Sequence, residues 1–164
     1  MLKGTRVIFG SSVLMSFVAS GLVTGLYLVP ALEAMATKDA LTAIAVIHTY
    51  RFIGLAFLVP GVMPENLPRE FARPAAYGDL IAAIMAVLST VMLHGDVVGA
   101  LAVTLFFNIW GTGDLVNAMF QGTRRIAAEG RSALGVAFFI PTVIVPALLI
   151  MHGLIFWLLV LATR

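Results

Sequence analysis

The sequence predicts an all-α fold, an integral membrane bundle of about five transmembrane helices with its N-terminus in the cytoplasm. Three observations carry that prediction. Hydrophobic residues make up 61% of the 164 positions, more apolar surface than a water-soluble domain of this length can bury. Charged residues are only 11%, and they fall mostly between long apolar runs. Those runs are each near or above the roughly 20 residues that cross a hydrocarbon core.

Breaking the chain at its polar and Pro/Gly-rich stretches gives one transmembrane domain over residues 1–164, with spans at about 7–29, 41–62, 76–94, 97–121 and 133–162. The first run follows Lys3 and Arg6 and so begins like a signal peptide. It continues through Leu28, too long for the apolar core of a leader, and is expected as a retained helix. The last span has Pro141 and Pro146 to kink or tilt it.

Seven of the ten basic residues (Lys3, Arg6, Arg69, Arg73, Arg124, Arg125, Arg131) flank the spans on one side, against Lys38 and Arg164 on the other. Lys and Arg accumulate on the cytoplasmic side, which orients the N-terminus inward. These residues form no basic face, so nucleic acid is not an expected partner; the bilayer is. The sequence has no cysteine, which removes disulfides, thiolate nucleophiles and Cys-ligated metals.

Span one carries Ser12, Ser16, Ser20 and Thr24 at helical spacing, with Gly21 and Gly25 beside them. A ridge of small residues lets another helix approach closely. It is expected to pack within the bundle, the alternative being a homo-oligomer or a larger membrane complex.

Ionisable side chains inside a bilayer are costly and usually face the bundle interior with partners. At 1.5 Å per residue from the outer boundary, Arg51 and Asn108 lie about 16 Å deep and His152 about 15 Å deep, one common layer. Asp79 and Asp114 fall at about 22 and about 25 Å, within reach of an Arg51 that extends inward. His48 is one turn from Arg51 on nearly the same face. Gly111 and Gly113 leave room beside Asp114, and Pro141 shares a face with His152. The expected site is therefore Arg51, Asp79, Asn108, Asp114, His152 and His48, with Arg51 neutralised by one or both carboxylates. No residue set has the spacing of a metal centre. Depth alone allows a haem between His48 and His152. A retinal Schiff base is not supported, because Lys3 and Lys38 stand at span ends.

Four separated motifs follow one another from about residue 47 onward. They are Tyr50-Arg51; Leu67-Pro68-Arg69-Glu70-Phe71-Ala72-Arg73-Pro74-Ala75-Ala76-Tyr77-Gly78-Asp79, expected as a loop entering span three; Asn108-x-x-Gly111-x-x-Asp114-Leu115; and Pro141-x-x-x-Val145-Pro146 followed by His152. By them the chain resembles a group of uncharacterised bacterial multi-pass membrane proteins, over about two-thirds of its length and without span one. The resemblance implies a bacterial inner-membrane location and no particular reaction.

Three functions compete on these residues. The first is binding or transport of a proton, ion or small amphipathic ligand at the polar site. The second is an accessory or structural role in a larger membrane complex. The third is an enzyme acting on a lipid or isoprenoid, with His152 or Asp114 as acid/base and Arg51 holding an anionic group.

Overall fold

A computed structural model describes residues 2–62, 67, 69–129 and 138–163. Among them the chain is five helical rods without a strand. Rod one is α1 (Leu2–Val23), a π-helical turn (Thr24–Leu28) and α2 (Val29–Glu33). Rod two is α3 (Thr37–His48) continued by a 3₁₀ segment (Thr49–Leu58). Rods three and four are α4 (Arg69–His94) and α5 (Ala100–Glu129), and rod five is a π segment (Ile140–Ile144) running into α6 (Val145–Ala162).

Among the described residues, four stretches are long and apolar enough to cross a membrane: Val7–Glu33, Thr37–Leu58, Arg69–His94 and Ile140–Ala162. Rod four is the longest unbroken α-helix among the described residues, at 30 residues. It is the least uniformly apolar, because Asn108, Asp114, Asn117 and Gln121 lie along it.

The rods depart from the expected spans mainly at their ends. Residues 69–79, expected as a loop, are the opening turns of α4, with Pro74 inside the helix. The N–H groups of a first turn have no intrahelical acceptor, so a proline just beyond it removes a single bond. Rod one runs on to Glu33 and rod two begins at Thr37. The expected start of span five at 133 lies outside the described residues.

Prolines account for the two wide turns. The first π turn runs up to Pro30, and the second contains Pro141 and ends just before Pro146. A ring without an N–H leaves a carbonyl unpaired, and a local widening of the helix absorbs the defect.

The 3₁₀ segment has a different cause. Its ten residues exceed the usual short 3₁₀ run, and three residues per turn stack every third side chain on one face. Here that face is His48, Arg51, Gly54 and Phe57, all buried. An α-helix would put His48 and Phe57 on about opposite sides of the rod. The winding follows what has to be buried.

Two apolar clusters hold the bundle. One gathers Leu41, Ile44, Leu93, Phe107, Ile155 and Leu158 toward the end expected to face outward. The other gathers Phe9, Phe57, Phe71, Ala72, Ala75 and Ala76 toward the opposite end. Buried alanines along α4, at 72, 75, 76, 82, 83 and 86, let its neighbours come close. At the outer end, Lys38 Nζ reaches both Asp96 carboxylate oxygens at 2.8 Å. This ties rod two to the α4–α5 turn, where Gly99 has φ +89°.

The small residues of α1 divide into two faces. Ser12, Ser16, Ser20 and Thr24 are half-buried, and Ser16 Oγ donates to Val143 O at 3.3 Å, across to rod five. Gly21 and Gly25 point away, with no atom within 4 Å of where a Cβ would stand.

Candidate functional site

Between the two apolar clusters lies a polar layer centred on Arg51. The 3₁₀ winding turns Arg51 into the bundle, where its side chain is 1% exposed. Its Nε donates to Asp79 Oδ1 at 2.8 Å, and Nη2 stands 2.7 Å from that same oxygen. Nη2 donates to Asp114 Oδ2 at 2.6 Å, and Nη1 donates to Gly111 O at 3.2 Å. Every nitrogen of the guanidinium therefore has an acceptor, as a charge buried at this depth requires.

Nη1 also lies 3.4 Å from His152 Nε2. A guanidinium has only donors, so Nε2 accepts and the ring proton sits on Nδ1. Nδ1 then donates to Asn108 Oδ1 at 2.6 Å, and Asn108 Nδ2 returns a bond to His152 O at 3.1 Å. This closed pair assigns a neutral imidazole and the amide's orientation together.

Three glycines make the layer possible. A Cβ on Gly54 would overlap the Asp79 carboxylate, and one on Gly78 would overlap Asp114 Oδ1. A Cβ on Gly111 would stand 2.5 Å from His152 Cε1 and 2.8 Å from Arg51 Nη1. Rods two, three and four thus each surrender a side chain at the point where an ionic or imidazole group of a neighbour must enter. Gly111 was legible as space beside a polar face. Gly54 and Gly78 were missed, although Gly78 directly precedes Asp79 in the motif.

His48 is brought to this layer but does not join its hydrogen bonds. It is fully buried and neither ring nitrogen has a hydrogen-bond partner, a deficit that costs about 1–3 kcal/mol. Its ring packs on His152 at a centroid distance of 4.1 Å, and its edge meets Phe107 at 5.3 Å. Two imidazoles in contact leave no room for a macrocycle, so a haem clamped between His48 and His152 does not fit.

A family model described as a domain of unknown function, DUF8737, matches residues 8–160. The chain belongs to that family. The match to DUF8737 takes in α1 from residue 8 onward, beyond the part of the chain that carries the motif resemblance. No curated protein and no solved structure matches the chain.

The charges in this DUF8737 chain do not cancel locally. One guanidinium faces two carboxylates, and the neighbouring His152 accepts rather than donates at Nε2. If both aspartates are ionised, the layer carries one surplus negative charge. A proton on one carboxyl or a bound monovalent cation removes it. Both side chains retain slight exposure, 15% for Asp79 and 13% for Asp114. Asp79 also borders a cleft of about 220 Å³ between the 3₁₀ segment and rod five. Among the described residues, no group of three or more His, Asp, Glu or Cys side chains is arranged to hold a metal ion.

Proposed function

We propose that this chain is an integral membrane protein, with its N-terminus cytoplasmic, whose Arg51–Asp79–Asp114 layer binds a proton or a small monovalent cation. The observation that carries the reading is the charge count: two carboxylates on one arginine, walled by apolar clusters on both sides. An unpaired charge in such surroundings is expensive, so the layer holds a counter-charge, and what it holds can exchange. Orientation rests on the seven-to-two bias of basic residues; a bacterial inner membrane rests on the motif resemblance. Catalysis draws less support, because both ring nitrogens of His152 are already engaged.

The reading makes a specific demand of asparagine variants. Asp79→Asn and Asp114→Asn each leave one carboxylate facing one arginine, a balanced pair, so both are expected to fold. Infrared spectroscopy of the wild type at neutral pH, free of added cations other than buffer, should show a buried carboxylic acid band. Either variant should lose that band and lose binding of a monovalent cation at the layer. A band that persists in both variants, or a wild type with neither band nor bound cation, counts decisively against the proposal.

One observation favours a second reading, an accessory subunit. The apolar window of rod one is 6% buried, against 39% for each of the other three, so most of this helix meets something outside the chain. Native mass spectrometry in mild detergent separates the cases: a stable assembly with other polypeptides supports the accessory role, and a single-chain mass with full cation binding argues against it.

A further inference from the structure

The cleft beside Asp79 lies between two irregular windings. The 3₁₀ segment contributes Tyr50, Ile53 and Gly54, and the far wall is Ile144, Val145 and Leu148 of rod five. Arg51 and Asp79 also line it, whereas Asp114 does not. Gly54 clears the space through which the Asp79 carboxylate reaches Arg51. Tyr50 and Ile53 stand exposed at the rim, at 64% and 52%.

We propose that this cleft binds a lipophilic monovalent cation, a protonated amine on a compact apolar body, with its ammonium against Asp79. The inference rests on the surplus negative charge argued above and adds the class of ligand that supplies the balancing charge. Three features select it. Arg51 has acceptors on all its nitrogens, two of them carboxylates, so it has little left to offer an anion. The remaining walls are aliphatic and provide too few oxygens for a desolvated inorganic cation, which needs six or so. An ammonium needs one carboxylate and gains from the face of an aromatic ring, which Tyr50 places at the rim. In size, an apolar cavity of about 150 Å³ holds benzene, so about 220 Å³ accommodates one ring with a short aminoalkyl arm. A neutral acyl chain would fill the walls but gain nothing from the negative charge, which a carboxyl proton would still have to balance.

The charge balance gives binding a definite counter-movement. One ammonium enters, one carboxyl proton leaves, and the net charge of the layer is unchanged. Lipophilic amine and proton therefore compete for the same negative charge.

The test uses the full chain in phosphatidylcholine nanodiscs with benzylamine as the probe and benzyl alcohol as its neutral counterpart. Benzylamine is expected to bind saturably and abolish the carboxylic acid band; benzyl alcohol should bind at least tenfold more weakly and leave the band in place. Asp79→Asn should weaken benzylamine at least tenfold. Leu148→Trp, which fills the cleft without touching the ionic groups, should block benzylamine while keeping the band. Equal binding of the alcohol, or undiminished binding to Leu148→Trp, overturns the cleft assignment. An intact band with no saturable benzylamine binding overturns the ligand class alone; absence of both the band and any bound cation overturns the surplus-charge reading beneath it.

Discussion

Arg51→Met is expected to cost about 3–5 kcal/mol of bundle stability, measured by denaturant titration in detergent or lipid. Removing one partner of a buried ionic group leaves the others uncompensated, and that penalty exceeds the net worth of the intact pair. Here the loss strands two carboxyl groups that share Arg51 Nη2, at 2.7 and 2.6 Å. It also frees Gly111 O and His152 Nε2 of their donor. Arg51→Lys should recover only part of the loss, because an ammonium cannot reproduce the planar fork that meets Asp79, Asp114 and Gly111 at once. The triple variant Arg51→Met with both aspartates changed to Asn should recover more than the lysine variant, since it removes every buried charge together. A methionine variant within about 1 kcal/mol of wild type, inside the range of exposed ion pairs, would mean that the carboxylates are already neutral and the ionic account is wrong.

Gly111→Ala is expected to destabilise the bundle, although it introduces the better helix former. Alanine normally favours a helix over glycine by about 1 kcal/mol. At this position the added carbon meets His152 Cε1 at 2.5 Å, His152 Nε2 at 2.7 Å and Arg51 Nη1 at 2.8 Å. All three atoms belong to groups fixed by further hydrogen bonds. Overpacking of this kind costs about 1–3 kcal/mol and occasionally more. Gly113 is the control on the same helix. Nothing lies within 4 Å of its Cβ direction, so Gly113→Ala should be neutral or slightly stabilising. Equal melting temperatures for the two alanine variants would contradict the packing described around Gly111.

The contrast between these glycines shows where sequence reasoning reached and where it stopped. Charged and amide residues inside apolar runs are conspicuous, and counting helical rise put Arg51, Asn108 and His152 at one depth with two carboxylates nearby. That reasoning used α-helical geometry throughout. It had no means of anticipating that residues 49–58 wind as a 3₁₀ helix, which aligns Arg51 with Gly54 and Phe57. It also had no reason to single out Gly54 and Gly78, because a glycine's importance here lies in what a different rod pushes against it. The opposite failure occurs on α1. Serine and glycine positions read there as one ridge divide into a half-buried row and an open one, since the small-residue pattern does not say which face a partner takes. His48 is a third case: proximity to Arg51 was legible, but its lack of any hydrogen bond depends on atoms from other rods.

The guanidinium and its counter-ions are far apart along the chain, 28 residues to Asp79 and 63 to Asp114, and that separation has a consequence for biogenesis. In a bilayer, the segment bearing Arg51 is synthesised and ready to insert before either carboxylate has left the ribosome. Until rod three follows, it carries a naked cation that hydrocarbon disfavours by roughly 2.5–3.5 kcal/mol or more. The second rod must therefore wait in an aqueous or translocon-lined setting, or ride partly inserted. Its charge is first matched when the third rod delivers Asp79, and the fourth rod then adds Asp114 and Gly111. Truncating the nascent chain between rods two and three should thus leave rod two accessible from water, although its own apolar length is complete.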